Sequence, residues 1–79
     1  MNQQQVATNI RSNRQRLGLS QIDLADELGV TQPSVSSWER GKQMPDMKNL
    51  VQLERLFELA PGTLLIPVAY LSLNGSGNE

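Results

Sequence analysis

Neither cysteine nor histidine occurs among the 79 residues. Without cysteine there is no disulfide framework and no thiolate metal site. Without histidine, the usual general base and the commonest metal ligand are gone. Ser-His-Asp and Cys-His catalysis are therefore excluded. Carboxylate or lysine chemistry remains open in principle, but a chain this short leaves little room for a pocket. The expectation is a protein that is not an enzyme and carries no metal or other cofactor. Long apolar runs are also missing: none approaches 18 residues, so nothing reads as a membrane span. The opening MNQQQ lacks the basic-then-apolar pattern of a signal peptide, which makes the cytoplasm the expected location.

Net charge is nearly absent, with seven basic residues against eight acidic ones. Taken alone, that balance argues against a polyanionic partner. The distribution says more. Arg11, Arg14 and Arg16 fall in residues 1–19 with no acid among them, a local charge of +3. Residues 49–79 hold Arg55 against Glu54, Glu58 and Glu79, a local charge of −2. The acidic part can face away from a polyanion that the basic part touches. Charge runs of this kind equally describe solvated surface.

What is present is one domain of marginal size, burying only about 60% of the surface its unfolded chain exposes. There is no internal repeat. The tail Asn74-Gly75-Ser76-Gly77-Asn78-Glu79 is of low complexity and is expected to be disordered. The preceding residues read as short helices with clear punctuation. A first helix is predicted over residues 4–17, with Val6, Ile10, Arg14 and Leu17 on one stripe and Gly18 at its end. Ser20 is a good N-cap for a second helix, and Asp23 completes a near capping box. The apolar residues of this helix are Ile22, Leu24, Ala25 and Leu28, and Gly29 stops it. Thr31 caps a third helix, which tolerates Pro33 in its first turn, buries Val35 and Trp38, and ends at Gly41. Asp46 caps a fourth, whose Leu50, Leu53, Leu56 and Phe57 form a core stripe ending by Ala60 and Pro61. Residues 61–66 suggest a fifth, single-turn helix. Residues 67–73 are ambiguous. Their alternation favours extended structure, whereas Pro67 and Gly75 would also frame a helix.

The second and third helices are joined by a tight turn at Gly29-Val30-Thr31. Ala25 stands four residues before Gly29 and Val35 six after it. A small residue lets the helices cross closely, a glycine takes the left-handed turn, and Val35 with Trp38 packs the second element onto the first. This is the arithmetic of a helix-turn-helix, which leaves the start of its second helix protruding toward a DNA major groove.

The stretch LGLSQIDLADELGVTQPSVSSWERGKQMP resembles the helix-turn-helix of the lambda-like phage repressor and Cro family, and the likeness runs over about residues 10–66. The resemblance implies an all-α, five-helix DNA-binding domain that works as a twofold dimer on a palindromic operator. It implies residues 1–66 as that domain, with the helix-turn-helix at about 20–40. Residues 67–73 become a candidate dimerisation segment, in a short strand or extended arm. Gln32, Pro33, Ser36 and Ser37 take positions facing base edges. Gln32 suits adenine N6 and N7, and Pro33 offers only apolar contact with a thymine methyl. Arg11, Arg14, Ser20, Gln21, Thr31, Ser34, Arg40 and Lys42 take positions near the phosphates. Gln21 stands at the start of the second helix, where orphan N–H groups and the helix dipole favour an anion. Arg14 and Glu39 match an ion pair of related repressors. Leu64, Ile66, Val68, Tyr70 and Leu71 are the dimerisation candidates, because dimer contacts must come from outside the reading head.

Several of these residues have a plainer reading. Trp38 reads as core rather than as a base-stacking residue. Arg14 and Glu39 also read as a pair that serves structure alone, and Arg11 and Arg16 are by default solvated. The function expected is a sequence-specific transcriptional regulator, most simply a repressor. An antitoxin or a restriction-modification controller shares this fold and size. A protein-interaction module with a degenerate helix-turn-helix, or the N-terminal part of a longer repressor, also fits.

Overall fold

The computed structural model describes residues 3–65. They form four α-helices, α1 (Gln3–Arg16), α2 (Gln21–Leu28), α3 (Gln32–Glu39) and α4 (Met47–Leu56), followed by a 3-10 turn, Thr63–Leu65. No strand occurs among the described residues, so the class is all-α. The fifth helix expected over residues 61–66 is only this 3-10 turn. Its shape is set by Glu54, a buried carboxylate of α4 that accepts the backbone N–H groups of Gly62 at 2.8 Å and Leu64 at 3.3 Å.

The helix starts follow the expected caps. Ser20 and Asp23 form a complete capping box: the Asp23 N–H donates to Ser20 Oγ at 2.9 Å, and the Ser20 N–H to Asp23 Oδ2 at 3.0 Å. Thr31 and Asp46 cap α3 and α4 in the same way, through the N–H groups of Ser34 and Asn49.

All four helix ends share one device, in which the residue beyond the helix turns left-handed and two N–H groups bond back to the last carbonyls. After α2, the Gly29 N–H reaches the Asp26 carbonyl and the Val30 N–H reaches that of Ala25. Gly29 sits at φ 71°, which glycine adopts without a Cβ penalty. After α4 the same pair of bonds runs from Glu58 to Arg55 and from Leu59 to Glu54. The left-handed residue there is Glu58, at φ 60°. This is why the fourth helix stops at Leu56 rather than near Ala60: the partly buried Leu59 is drawn back against the core.

The core is built from Val6, Ile10, Leu24, Ala25, Val35, Trp38, Leu50, Leu53, Phe57 and Leu64. Burying one such large apolar side chain contributes roughly 1.5–3 kcal/mol. α3 packs on both α1 and α2, so Trp38 is core, as expected. The stripe on α1 differs from expectation. Val6 and Ile10 are buried, but Leu17 is 41% exposed because it lies beyond the end of the helix. Ala7 and Asn9 are buried instead, and the Asn9 amide donates to the Leu64 carbonyl at 2.7 Å. Leu64 itself is fully buried with both backbone groups bonded. Its assignment to dimerisation is therefore corrected: it faces the core of its own chain. Ile66, Val68, Tyr70 and Leu71, the segment 67–73 and the tail 74–79 lie outside the described residues. Among the described residues, no helix is long and apolar enough to cross a membrane.

Candidate nucleic-acid interface

The packing of α3 on α1 and α2 leaves its N-terminal half at the surface, with Pro33 exposed and Gln32, Ser34, Ser36 and Ser37 half-buried. Val35 and Trp38 point inward. Pro33, Ser34, Ser37, Arg40, Lys42 and Gln43 line one open groove of about 650 Å³. The loop after α3 forms its far wall, because the N–H groups of Lys42 and Gln43 both reach the Ser37 carbonyl, at 2.9 and 3.4 Å. Gln43 has no place in the sequence reading. It falls in a loop with no periodic pattern, and only the fold-back onto Ser37 brings it beside the reading positions.

The hydroxyls of Ser20, Thr31, Ser34 and Ser36 are already partnered. Thr31 Oγ1 accepts the Ser34 N–H and lies 3.0 Å from Ser34 Oγ. Ser36 Oγ accepts from Arg40 Nε at 3.2 Å, so Ser36 and Arg40 present one joint polar surface. Ser20 is occupied by its capping box. The Ser20 backbone N–H, and after it the Ser20 hydroxyl, hold the Asp23 carboxyl below its ordinary range. A negative carboxylate beside Ser20 makes it the least favourable of the expected phosphate contacts.

Behind the exposed half of α3 runs a polar chain centred on Glu39, whose side chain is 1% exposed. Arg14 grips this carboxylate with two bonds, Nε to Oε2 at 2.6 Å and Nη2 to Oε1 at 2.9 Å. Its remaining nitrogen, Nη1, donates to the Leu19 carbonyl at 2.8 Å. The hydrogen bonding that Arg14 donates to Glu39 raises its pKa above the ordinary value. Arg14 is thus corrected from a phosphate contact to a structural tie between α1 and α3, since every guanidinium nitrogen is committed inside the fold. Arg11 stands beside it, half exposed, with Nη2 donating to the Glu39 carbonyl at 2.9 Å. Arg16 bonds the Phe57 carbonyl and Asn13, away from this face.

Gln21 continues the chain. Its Nε2 donates to Glu39 Oε1 at 3.2 Å, and its Oε1 accepts Gln32 Nε2 at 2.7 Å. Gln32 Oε1 has no partner among the described residues. The two glutamines therefore meet where the start of α2 approaches the start of α3. Next to them, Pro33 and Ser37 face the groove that Arg40 and Lys42 flank.

Residues 10–64 match the family described as Helix-turn-helix. The chain is 34% identical over 65 residues to Repressor protein C2 of Salmonella phage P22, covering 82% of this chain and 30% of that protein. It is 37% identical over 60 residues to the HTH-type transcriptional regulator DicA of Escherichia coli, covering 76% of this chain and 44% of DicA. A crystal structure of the P22 c2 repressor in complex with a synthetic operator is similar at a TM-score of 0.71 and 30% identity. That likeness covers 75% of this chain and 89% of the other. The chain spans between 30% and 49% of the length of the curated relatives it matches.

Proposed function

Because this chain belongs to the helix-turn-helix family, we propose that it is a sequence-specific, double-stranded DNA-binding transcriptional regulator of the phage-repressor type. α3 enters the major groove with its N-terminal half. The observation that carries this reading is the Gln21–Gln32 pair, held at 2.7 Å at the start of α3, one residue before the Pro33 that lines the groove with Arg40 and Lys42. Gln32 reads adenine N6 and N7, and Pro33 lies against a thymine methyl. Ser37 and the Ser36–Arg40 pair extend the reading surface. Thr31, Ser34, Arg40 and Lys42, with Arg11 at the edge and the second amide N–H of Gln21, hold phosphates and set the register. P22 c2, whose structure was solved on an operator, supports DNA as the partner.

Few cations serve the phosphates once Arg14 is committed to Glu39. A single subunit should then bind DNA weakly and with strong salt dependence. Useful specificity follows from two copies reading half-sites about one helical turn (~34 Å) apart. Ile66, Val68, Tyr70 and Leu71 remain the proposed pairing segment. The protein acts in the cytoplasm as a repressor that occludes its site, without catalysis.

The test is selection of bound duplexes from a random library at ~100 mM salt, where non-specific contacts are already weakened. The expected result is an enriched palindrome with half-sites about one helical turn apart. Absence of any enriched sequence would remove the regulator reading.

A further inference from the structure

We propose that Glu39, which lies behind the reading face and reaches no base, sets the preference of Gln32 for adenine over guanine by fixing the direction of its amide. The proposal rests on the reading of Gln32 as a base contact and deepens it.

A carboxylate gripped by a guanidinium offers only acceptors. Arg14 occupies both oxygens of Glu39, and Gln21 approaches Oε1 at 3.2 Å. Gln21 must present Nε2 there, because the flipped amide would set oxygen against carboxylate oxygen. With Nε2 turned inward, its Oε1 faces Gln32. Gln32 then has to answer with its own Nε2, at 2.7 Å. A fixed charge behind the face thus orients two amides in series. Were Glu39 neutral and able to turn, both glutamines could flip together and keep their mutual bond.

The direction decides what the groove meets. One N–H of Gln32 is committed to Gln21, leaving Oε1 and one N–H for a base. Adenine shows N6–H as donor and N7 as acceptor, which this set matches. Guanine shows two acceptors, O6 and N7. To satisfy both, Gln32 would have to give up its bond to Gln21 or set Oε1 against O6. Glu39 acts through Gln21 and is a positioning residue.

The experiment measures binding of the full chain to the selected duplex and to one with adenine replaced by guanine at the position that responds to Gln32→Ala. The wild type is expected to prefer adenine by roughly 5- to 150-fold. Glu39→Gln replaces the acceptor by an amide that can face Gln21 either way, and should bring that ratio near unity with other positions unchanged. Where Glu39→Gln is too unstable to assay, Gln21→Leu decides, because it leaves the Arg14–Glu39 pair intact. The same collapse of the ratio is expected. A uniform loss of affinity with the ratio preserved would overturn the proposal and leave Glu39 a purely structural residue. If Gln32→Ala alters no base position at all, the reading of Gln32 itself fails and the proposal falls with it.

Discussion

Arg14 on α1 and Glu39 on α3 form a two-pronged ion pair, with bonds of 2.6 and 2.9 Å and side-chain exposures of 13% and 1%. Removing one partner strands the other. Arg14→Met is expected to destabilise the domain by roughly 3–5 kcal/mol, a large share of the total stability of so small a chain. Replacing both, as in Arg14→Met with Glu39→Leu, should recover most of that loss. Urea unfolding of the single and double variants checks this. Equal stability of wild type and Arg14→Met would show that the pair holds nothing together.

The capping box of α2 gives a pH dependence of known sign. Asp23 has its pKa lowered in the folded state, so its contribution is complete above the ordinary aspartate range and is lost as pH falls through the folded value. Asp23→Asn should lower Tm at neutral pH, and the gap to wild type should close in acid. Thermal unfolding from pH 7 to pH 2 measures it. A gap that stays constant would mean the carboxylate does not act through its charge.

Glu58 holds a left-handed conformation, at φ 60°, where the other three helix ends use glycine. A side chain in that region costs about 1 kcal/mol. Glu58→Gly should therefore stabilise the domain by about 1 kcal/mol and raise Tm by roughly 4–8 °C. A fall in Tm would show that Glu58 makes a favourable contact that outweighs the strain.

The choice of cations is tested by salt. Lys42 lines the groove beside Pro33 and Ser37, whereas Arg16 is bonded to the Phe57 carbonyl on another face. Lys42→Ala should weaken binding to all sequences alike and reduce the slope of log K against log salt by about 1 per subunit. Arg16→Ala should leave the slope unchanged. A reversed result would place the DNA on a different surface.

How much of this was legible in the sequence varied with the range of the interaction. The caps at Ser20, Thr31 and Asp46 and the turn at Gly29 are local, so residue type and spacing were enough. The end of α4 was missed because Glu58 occupies a position that glycine usually marks, and the reason lies in the packing of Leu59. Leu64 looked available for dimerisation because the bonds that bury it come from Asn9 and Glu54, far away in the chain. At the site, the pairing of Arg14 with Glu39 was anticipated through resemblance. Its consequence, that all three guanidinium nitrogens donate inside the fold, required the bond to the Leu19 carbonyl. The Gln32–Gln21–Glu39 chain joins three helix positions that no single periodicity connects, and Gln43 is recruited by a loop fold-back.

The most direct measurement is the binding of wild type and Gln32→Ala to the selected operator and to each of its single-base variants. The expected result is a loss of roughly 1–3 kcal/mol for Gln32→Ala, with relaxed preference confined to one adenine position in each half-site. Unchanged affinity and unchanged preference at every position would contradict the placement of α3 as the reading element.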